Sequence, residues 1–472
     1  MSRTDCRAGR AFTATCLFAL CLAAPERSAA ADGELDPTFS TNGWTVESPA
    51  SLDGPLPKAS GVAPGGRVYT MAERTELDGT PSLFRVSFRN VAAGVVGVDH
   101  EFLGFPGPGQ PPPPVALSVA GAAPSVIGDG WYYLFAIQRL GEPAYLGVGA
   151  ENFEGSELLD YNDDFEPLVA IGGAQEPAGL ASVLEDDGSG PATRAVAAVN
   201  ESSGASSWAV LRRFGNDFGT VPLAKLWPNG AAYVAFAGVR AQGVIADPQG
   251  RLVAFGSLDD LAWIARVLPN GDPDPSFDGD GQKTLALAAT PGSDRFAIRR
   301  LQVDALGSIY LLGTRADGDG FGHMVLGKLD DSGQPAASFG VGGFVSRPDG
   351  DLLAGLAIQS DGKLVVAGQR GDSQRPQMPA PDLVGRVLLQ RFLSNGALDP
   401  TFGVGGETEV DLGRLSPAQD GAVDVVLQGG RAVVYGFSSD ESGPGLLFAR
   451  FRSNLIFADG FDAGTLAGWL QP

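Results

Sequence analysis

The chain of 472 residues carries 55 acidic against 33 basic side chains, a formal net charge of −22. So acidic a surface repels nucleic acid and anionic lipid and argues against both as partners. With only His100 and His323 as histidines, a histidine-rich zinc site or a serine–histidine triad has little to be built from.

At the start of the chain, Arg3, Arg7 and Arg10 precede an apolar run from Ala11 to Ala24, which Pro25 ends before the small residues Ser28 to Ala31. That order predicts a secretory signal peptide over residues 1–31. The run is too short for a membrane-spanning helix of roughly 20 residues. No transmembrane segment is therefore expected, and the destination is the periplasm, the cell surface or the medium. Cys6, Cys16 and Cys21 all fall within this leader, so the exported chain is expected to hold no thiol, disulfide or cysteine-ligated metal. Its loss takes four basic and two acidic residues and moves the net charge from −22 to −24.

Beyond residue 31 the chain repeats. A turn followed by a β-branched strand occurs seven times: at Pro64–Ala72, Gly128–Ala136, Arg194–Val199, Asp247–Gly256, Asp304–Gly313, Asp361–Gly368 and Gly429–Gly436. A second strand follows each copy, and in six of the seven it bears one basic residue: Arg85, Arg213, Arg266, Lys328, Arg391 and Arg450. After it comes a polar turn and a signature, clearest in Asn395–Gly406, recurring at Asn270–Gly281 and, degraded, at Ser332–Gly343. Phe277 to Phe339 spans 62 residues and Phe339 to Phe402 spans 63. The isolated words Leu35, Asp36, Pro37, Thr38, Phe39 stand directly behind the leader. With 67 Gly and 34 Pro and no long apolar stretch of helical period, helix is expected to be scarce.

These words resemble the delta-60 repeat of exported bacterial proteins, which combines a polar turn, a Leu-Asp-x-x-Phe-Gly stretch and an Asp-Gly-Lys turn leading into a valine strand. The likeness is specific between Val244 and Phe451 and thin between Trp44 and Arg240. It implies a propeller-like fold and no particular reaction.

A module of about 60 residues cannot bury both faces of its own sheet, whereas sheets stacked around an axis can. The chain ends in half a module and begins, after the leader, with the other half. The expected fold is thus all-β: a seven-bladed β-propeller over residues 32–455, closed by pairing of its N- and C-terminal strands, with a short tail over 456–472. Two consecutive smaller β domains are the competing architecture. The proline-rich runs Phe105–Pro114 and Gln374–Pro381 are expected as loops. The tail resembles one shared by unrelated exported proteobacterial proteins.

Candidate chemistry is sparse. Asp272, Asp274, Asp278 and Asp280 alternate on a glycine-rich loop and are candidate Ca²⁺ ligands, though they lack the closing Glu of an EF-hand and coincide with the repeat's turn signature. Asp317 and Asp319, and Asp160, Asp163 and Asp164, form lesser clusters, and Arg370, Gly371, Asp372 spell an adhesion tripeptide. The recurring basic residue is expected at a boundary between blades, bonded to a neighbouring carbonyl or to an acid such as Asp399, with a ring of cations around an anion channel as its alternative. Trp44, Trp131, Trp208, Trp227 and Trp263 are spread among modules as blade packing would spread them. The function expected is a secreted, non-catalytic binding or scaffold protein for an extracellular or periplasmic protein or glycan. No cofactor is indicated apart from Ca²⁺. The alternative is a secreted hydrolase or lyase, which requires several acids with raised pKa converging on one end of the channel.

Overall fold

The computed structural model describes residues 32–40, 42–47, 53–62, 66–75, 79, 81–88, 114–124, 130–139, 144–152, 175–186, 191–215, 223–259, 261–286, 295–316, 322–347, 352–370, 386–410, 412, 419–440 and 443–453. The chain divides into Met1–Ala30 and Ala31–Pro472, and all described residues belong to the second unit.

Among the described residues there is no helix. The strands form seven antiparallel sheets. The earliest strand, β1 (Trp44–Glu47), belongs to the last sheet. Sheet I holds β2 (Asp53–Val62), β3 (Val68–Thr75) and β4 (Pro81–Phe88); sheet II holds β5 (Pro114–Pro124), β6 (Gly130–Arg139) and β7 (Ala144–Asn152). Sheet III holds β8 (Gln175–Asp186), β9 (Pro191–Ser203), β10 (Ser206–Gly215), β11 (Leu223–Lys225) and β12 (Val234–Ala237), the last two sharing one edge of β10. Sheet IV holds β13 (Val239–Ala246), β14 (Leu252–Leu258), β15 (Leu261–Val267) and β16 (Gln282–Leu285). Sheet V holds β17 (Arg295–Val303), β18 (Ile309–Ala316), β19 (Gly322–Leu329) and β20 (Phe344–Arg347). Sheet VI holds β21 (Leu352–Ile358), β22 (Leu364–Gln369), β23 (Val387–Phe392) and β24 (Glu407–Val410). Sheet VII joins β25 (Gln419–Gln428), β26 (Arg431–Asp440) and β27 (Gly443–Phe451) to β1 in the order β25-β26-β27-β1.

Each of the seven β-branched repeats forms the second strand of one sheet. The turn before it follows from its residues. In sheet IV, Asp247 Oδ1 accepts the N–H groups of Gln249 and Arg251 at 2.9 and 2.8 Å, and Gly250 takes φ 77°. Such second and third strands are buried on both faces, as β22 and β23 show, and therefore read as unbroken runs rather than alternating ones.

Apolar clusters lie between neighbouring sheets: II with III, III with IV, IV with V, V with VI, and VI with VII. Tyr69 and Trp131 bring sheets I and II together at a ring distance of 4.7 Å. Phe39, Val68, Tyr435 and Phe448 join sheet VII to sheet I. The molecule is an all-β propeller. The expected all-β propeller is found, with unequal sheets: I and II have three described strands each and III has five. The departures fall where the signature words fail.

Candidate binding site at the central axis

The recurring basic residues sit where their spacing places them, at the ends of the third strands. Arg391 donates from Nε to Asp399 at 2.9 Å and reaches Asp32 at 2.5 Å and Thr401 at 3.1 Å, with its guanidinium 4.7 Å from the Phe402 ring centre. Arg266 repeats this with Asp274 at 2.7 Å, Ser276 at 2.9 Å and the Phe277 ring at 4.9 Å, and donates to the Asp331 carbonyl of sheet V at 2.6 Å. Arg450 does the same with Asp36 at 2.9 Å, Thr38 at 3.0 Å and the Phe39 ring at 5.1 Å. Asp36 lies 414 positions from Arg450 in the chain. These clamps are buried and paired, which leaves them no part in an anion channel.

Two sheets vary the clamp. In sheet V, Ala336 replaces the Asp and Lys328 the Arg, whose ammonium lies 4.7 Å from the Tyr310 ring centre. In sheet III no signature Asp exists; Glu185 at the end of β8 pairs instead with Arg213, and with Arg194 at 3.1 Å. The Arg213 guanidinium also donates to the Leu226 carbonyl. The side chain of Arg85 lies outside the described residues.

The four Ca²⁺ candidates are not gathered. Asp274 faces Arg266 inside the clamp, Asp272 accepts from Asn229 and Asn270 at 2.8 and 2.7 Å, and Asp278 accepts from Lys283 and Gln334 at 2.8 and 2.6 Å. Asp280 accepts the Gln282 N–H at 2.9 Å. Asp278 has φ 51°, the left-handed conformation that Gly340 and Gly403 adopt at the equivalent place at 53° and 52°. Its carboxylate thus belongs to a turn. Among the described residues no three acidic, histidine or cysteine side chains converge as metal ligands. His100, Asp160, Asp163, Asp164, Asp317, Asp319, Gly371, Asp372 and the runs 105–113, 374–381 and 456–469 lie outside the described residues. Arg370 pairs with Glu407 at 2.7 Å and Glu409 at 3.3 Å.

Among the described residues, the carboxylates that leave their ordinary range move downward. Burial pushes Asp36, Asp274, Asp330 and Asp399 up, but hydrogen bonds from the following Ser or Thr and nearby cations outweigh it, and Asp399 is held at about 2. Asp278 is lowered chiefly by its bond from Lys283. A general acid needs the opposite shift.

The site that sequence reading missed lies on the axis. β2, β5, β8, β13, β17, β21 and β25 are each the edge strand of their sheet, and each packs against the next around the molecule, β25 against β2 included. Every one carries a register shift within the strand, leaving Lys58, Ala120, Ala178, Gln242, Arg299, Ala354 and Val423 as the extra residue. A bulge re-aims its side chain out of the pleat. These strands are the innermost of their sheets, so the bulged residues lie on the edge nearest the axis. Burial agrees, since Ile298 and Leu301 are buried while Arg299 between them is exposed, and Lys58 and Gln242 are exposed likewise.

The strands approach closely at this collar. A Cβ on Gly179 would stand 2.8 Å from Gly243 Cα, and one on Gly355 would stand 2.6 Å from Asp424 Cα. Where glycine is absent, Arg300 reaches past sheet VI to Asp424 at 2.8 Å, and Asp424 also accepts from the Tyr435 hydroxyl at 2.7 Å. Glu73 bonds Lys58 at 3.1 Å and the Val119 N–H at 2.6 Å, tying sheet I to sheet II. Asn200 holds Ala241 by both amide groups at 2.7 and 2.9 Å, tying sheet III to sheet IV. The collar thus exposes donors on three sheets and small apolar side chains on four.

No family model matches the chain, and no curated protein does. Among solved structures it is similar to a mutant Trypanosoma rangeli sialidase displaying trans-sialidase activity, at 10% identity over 93% of this chain and 62% of that one, with a TM-score of 0.35. The same sialidase with the inhibitor DANA gives 11% identity over 90% and 62%, with a TM-score of 0.36. A mannose phosphorylase from Leishmania mexicana gives 10% identity over 89% and 91%, with a TM-score of 0.26. The chain spans about 62% of the length of the sialidase structures. Among the described residues no helix is long and apolar enough to cross a membrane.

Proposed function

We propose that this chain is an exported, non-catalytic binding or scaffold protein: a seven-bladed propeller of delta-60-like modules, closed by its N- and C-terminal strands, that takes a glycan at its axial collar. The observation that carries the reading is the division of polar groups. The Arg and Asp that open the repeated signature are buried in clamps, whereas Lys58, Gln242 and Arg299 stand exposed at the bulges of the inner strands. All three are hydrogen-bond donors, suited to the hydroxyl and ring oxygens of a saccharide.

The two faces of the molecule support it too. Strand direction alternates, so the signature turns and the Asp-x-x-Gly turns share one face, and the inner strands begin at the other. Titrating a panel of soluble glycans against the protein tests the proposal. Gln242→Ala is expected to weaken binding, and Val404→Ala, on the signature face, to leave it unchanged. Loss of binding in the Val404 variant, or steady release of a cleaved product by the unaltered chain, would replace this reading.

A further inference from the structure

We infer that the collar selects an acidic saccharide, binding its carboxylate at Arg299, with Lys58 on the opposite arc of the inner strands as a second cation. The inference rests on the proposed function and names its ligand class. The argument begins with charge. On a chain of net charge −22, an exposed cation ordinarily finds an acid, and the cations of the inner strands do so: Arg300 with Asp424 at 2.8 Å, Arg240 with Glu176 at 2.6 Å, and Lys58 with Glu73 at 3.1 Å. Arg299 has no acidic partner among the described residues, although it occupies the bulge and is exposed.

Its neighbour fixes its place. Arg300 is anchored by Asp424 and donates back to the Arg299 carbonyl at 3.3 Å, so its side chain ties the backbone that presents Arg299 to sheet VII. A guanidinium fork matches a carboxylate with two parallel hydrogen bonds. Lys58 belongs to sheet I and Arg299 to sheet V, on opposite arcs of the ring of inner strands. The one acid beside Lys58, Glu73, has one oxygen on Lys58 and the other on the Val119 N–H.

Calorimetric titration of the whole exported chain with sodium glucuronate, glucose and inorganic phosphate provides the test. Glucuronate is expected to bind, more weakly as salt is added, and Arg299→Gln to lower its affinity about tenfold or more while leaving the melting temperature unchanged. Lys58→Gln is expected to lower it by less. Equal affinity in the Arg299 variant would assign that side chain to protecting a strand edge and overturn the inference. Phosphate binding without glucuronate binding would overturn the carboxylate assignment. Glucose bound as well as glucuronate, and lost in Gln242→Ala, would overturn the acidic-ligand inference while leaving the glycan-binding collar standing.

Discussion

At the scale of single residues, the protein answers one problem repeatedly: how to bury an arginine between sheets. Arg391 is 1% exposed, and its desolvation is offset only because Asp399, Asp32, Thr401 and the Phe402 ring all meet it. Arg391→Ala, which strands two buried acids, is expected to cost about 3–5 kcal/mol by denaturant titration. An effect below 1 kcal/mol would deny the clamp its role. The same chemistry sets the acid limit of stability. Because the folded state holds Asp399 at about 2, below the roughly 3.9 of an unfolded chain, its contribution is complete above pH 4 and is lost as pH falls towards 2. That contribution is roughly 2 kcal/mol, and Asp399→Asn is expected to flatten stability against pH over that window.

The clamp was legible in sequence for sheets IV and VI, where the Asp follows the Arg by eight positions, and in sheet VII through the same words split between the two ends of the repeat region. It was not legible in sheet III. Glu185 comes from a strand that precedes both of its arginine partners, so no local motif announces it. Sheet V shows the converse: losing the Asp at Ala336 goes with softening Arg to Lys328, since a buried guanidinium without an acid would be costly.

At the scale of elements, the second and third strands were readable as buried β-branched runs, and the first strands were not. The inner strands carry no repeated word. Their shared feature is a bulge, which depends on how the edge meets its neighbour around the axis rather than on which residues form it. Lys58, Ala120 and Arg299 occupy the same place with unlike chemistry. The close approach beside the bulge is the readable consequence. Gly355→Ala would put a Cβ 2.6 Å from Asp424 Cα, and is expected to lower stability by about 1–3 kcal/mol through separation of sheets VI and VII. Gly250→Ala, where nothing stands within 4 Å, carries only the cost of its φ of 77° and serves as the comparison.

At the scale of the whole molecule, the half-modules at the two ends of the repeat region predicted where the chain meets itself. Trp44 pairs with Ala449 and Glu47 with Leu446, and Asp36 supplies to Arg450 the carboxylate that Asp399 supplies to Arg391. What sequence could not supply is the shape of sheets I and II, where periodicity persists without signature. The pairing of β1 with β27 makes sheet VII depend on both ends of the repeat region, so the two ends are predicted to unfold together. The direct test is a double-mutant cycle on Asp36→Ala and Arg450→Ala by denaturant unfolding. A ring fastened by its ends predicts a coupling of about 1 kcal/mol or more between residues 414 positions apart. Additive effects, within about 0.3 kcal/mol, would contradict it.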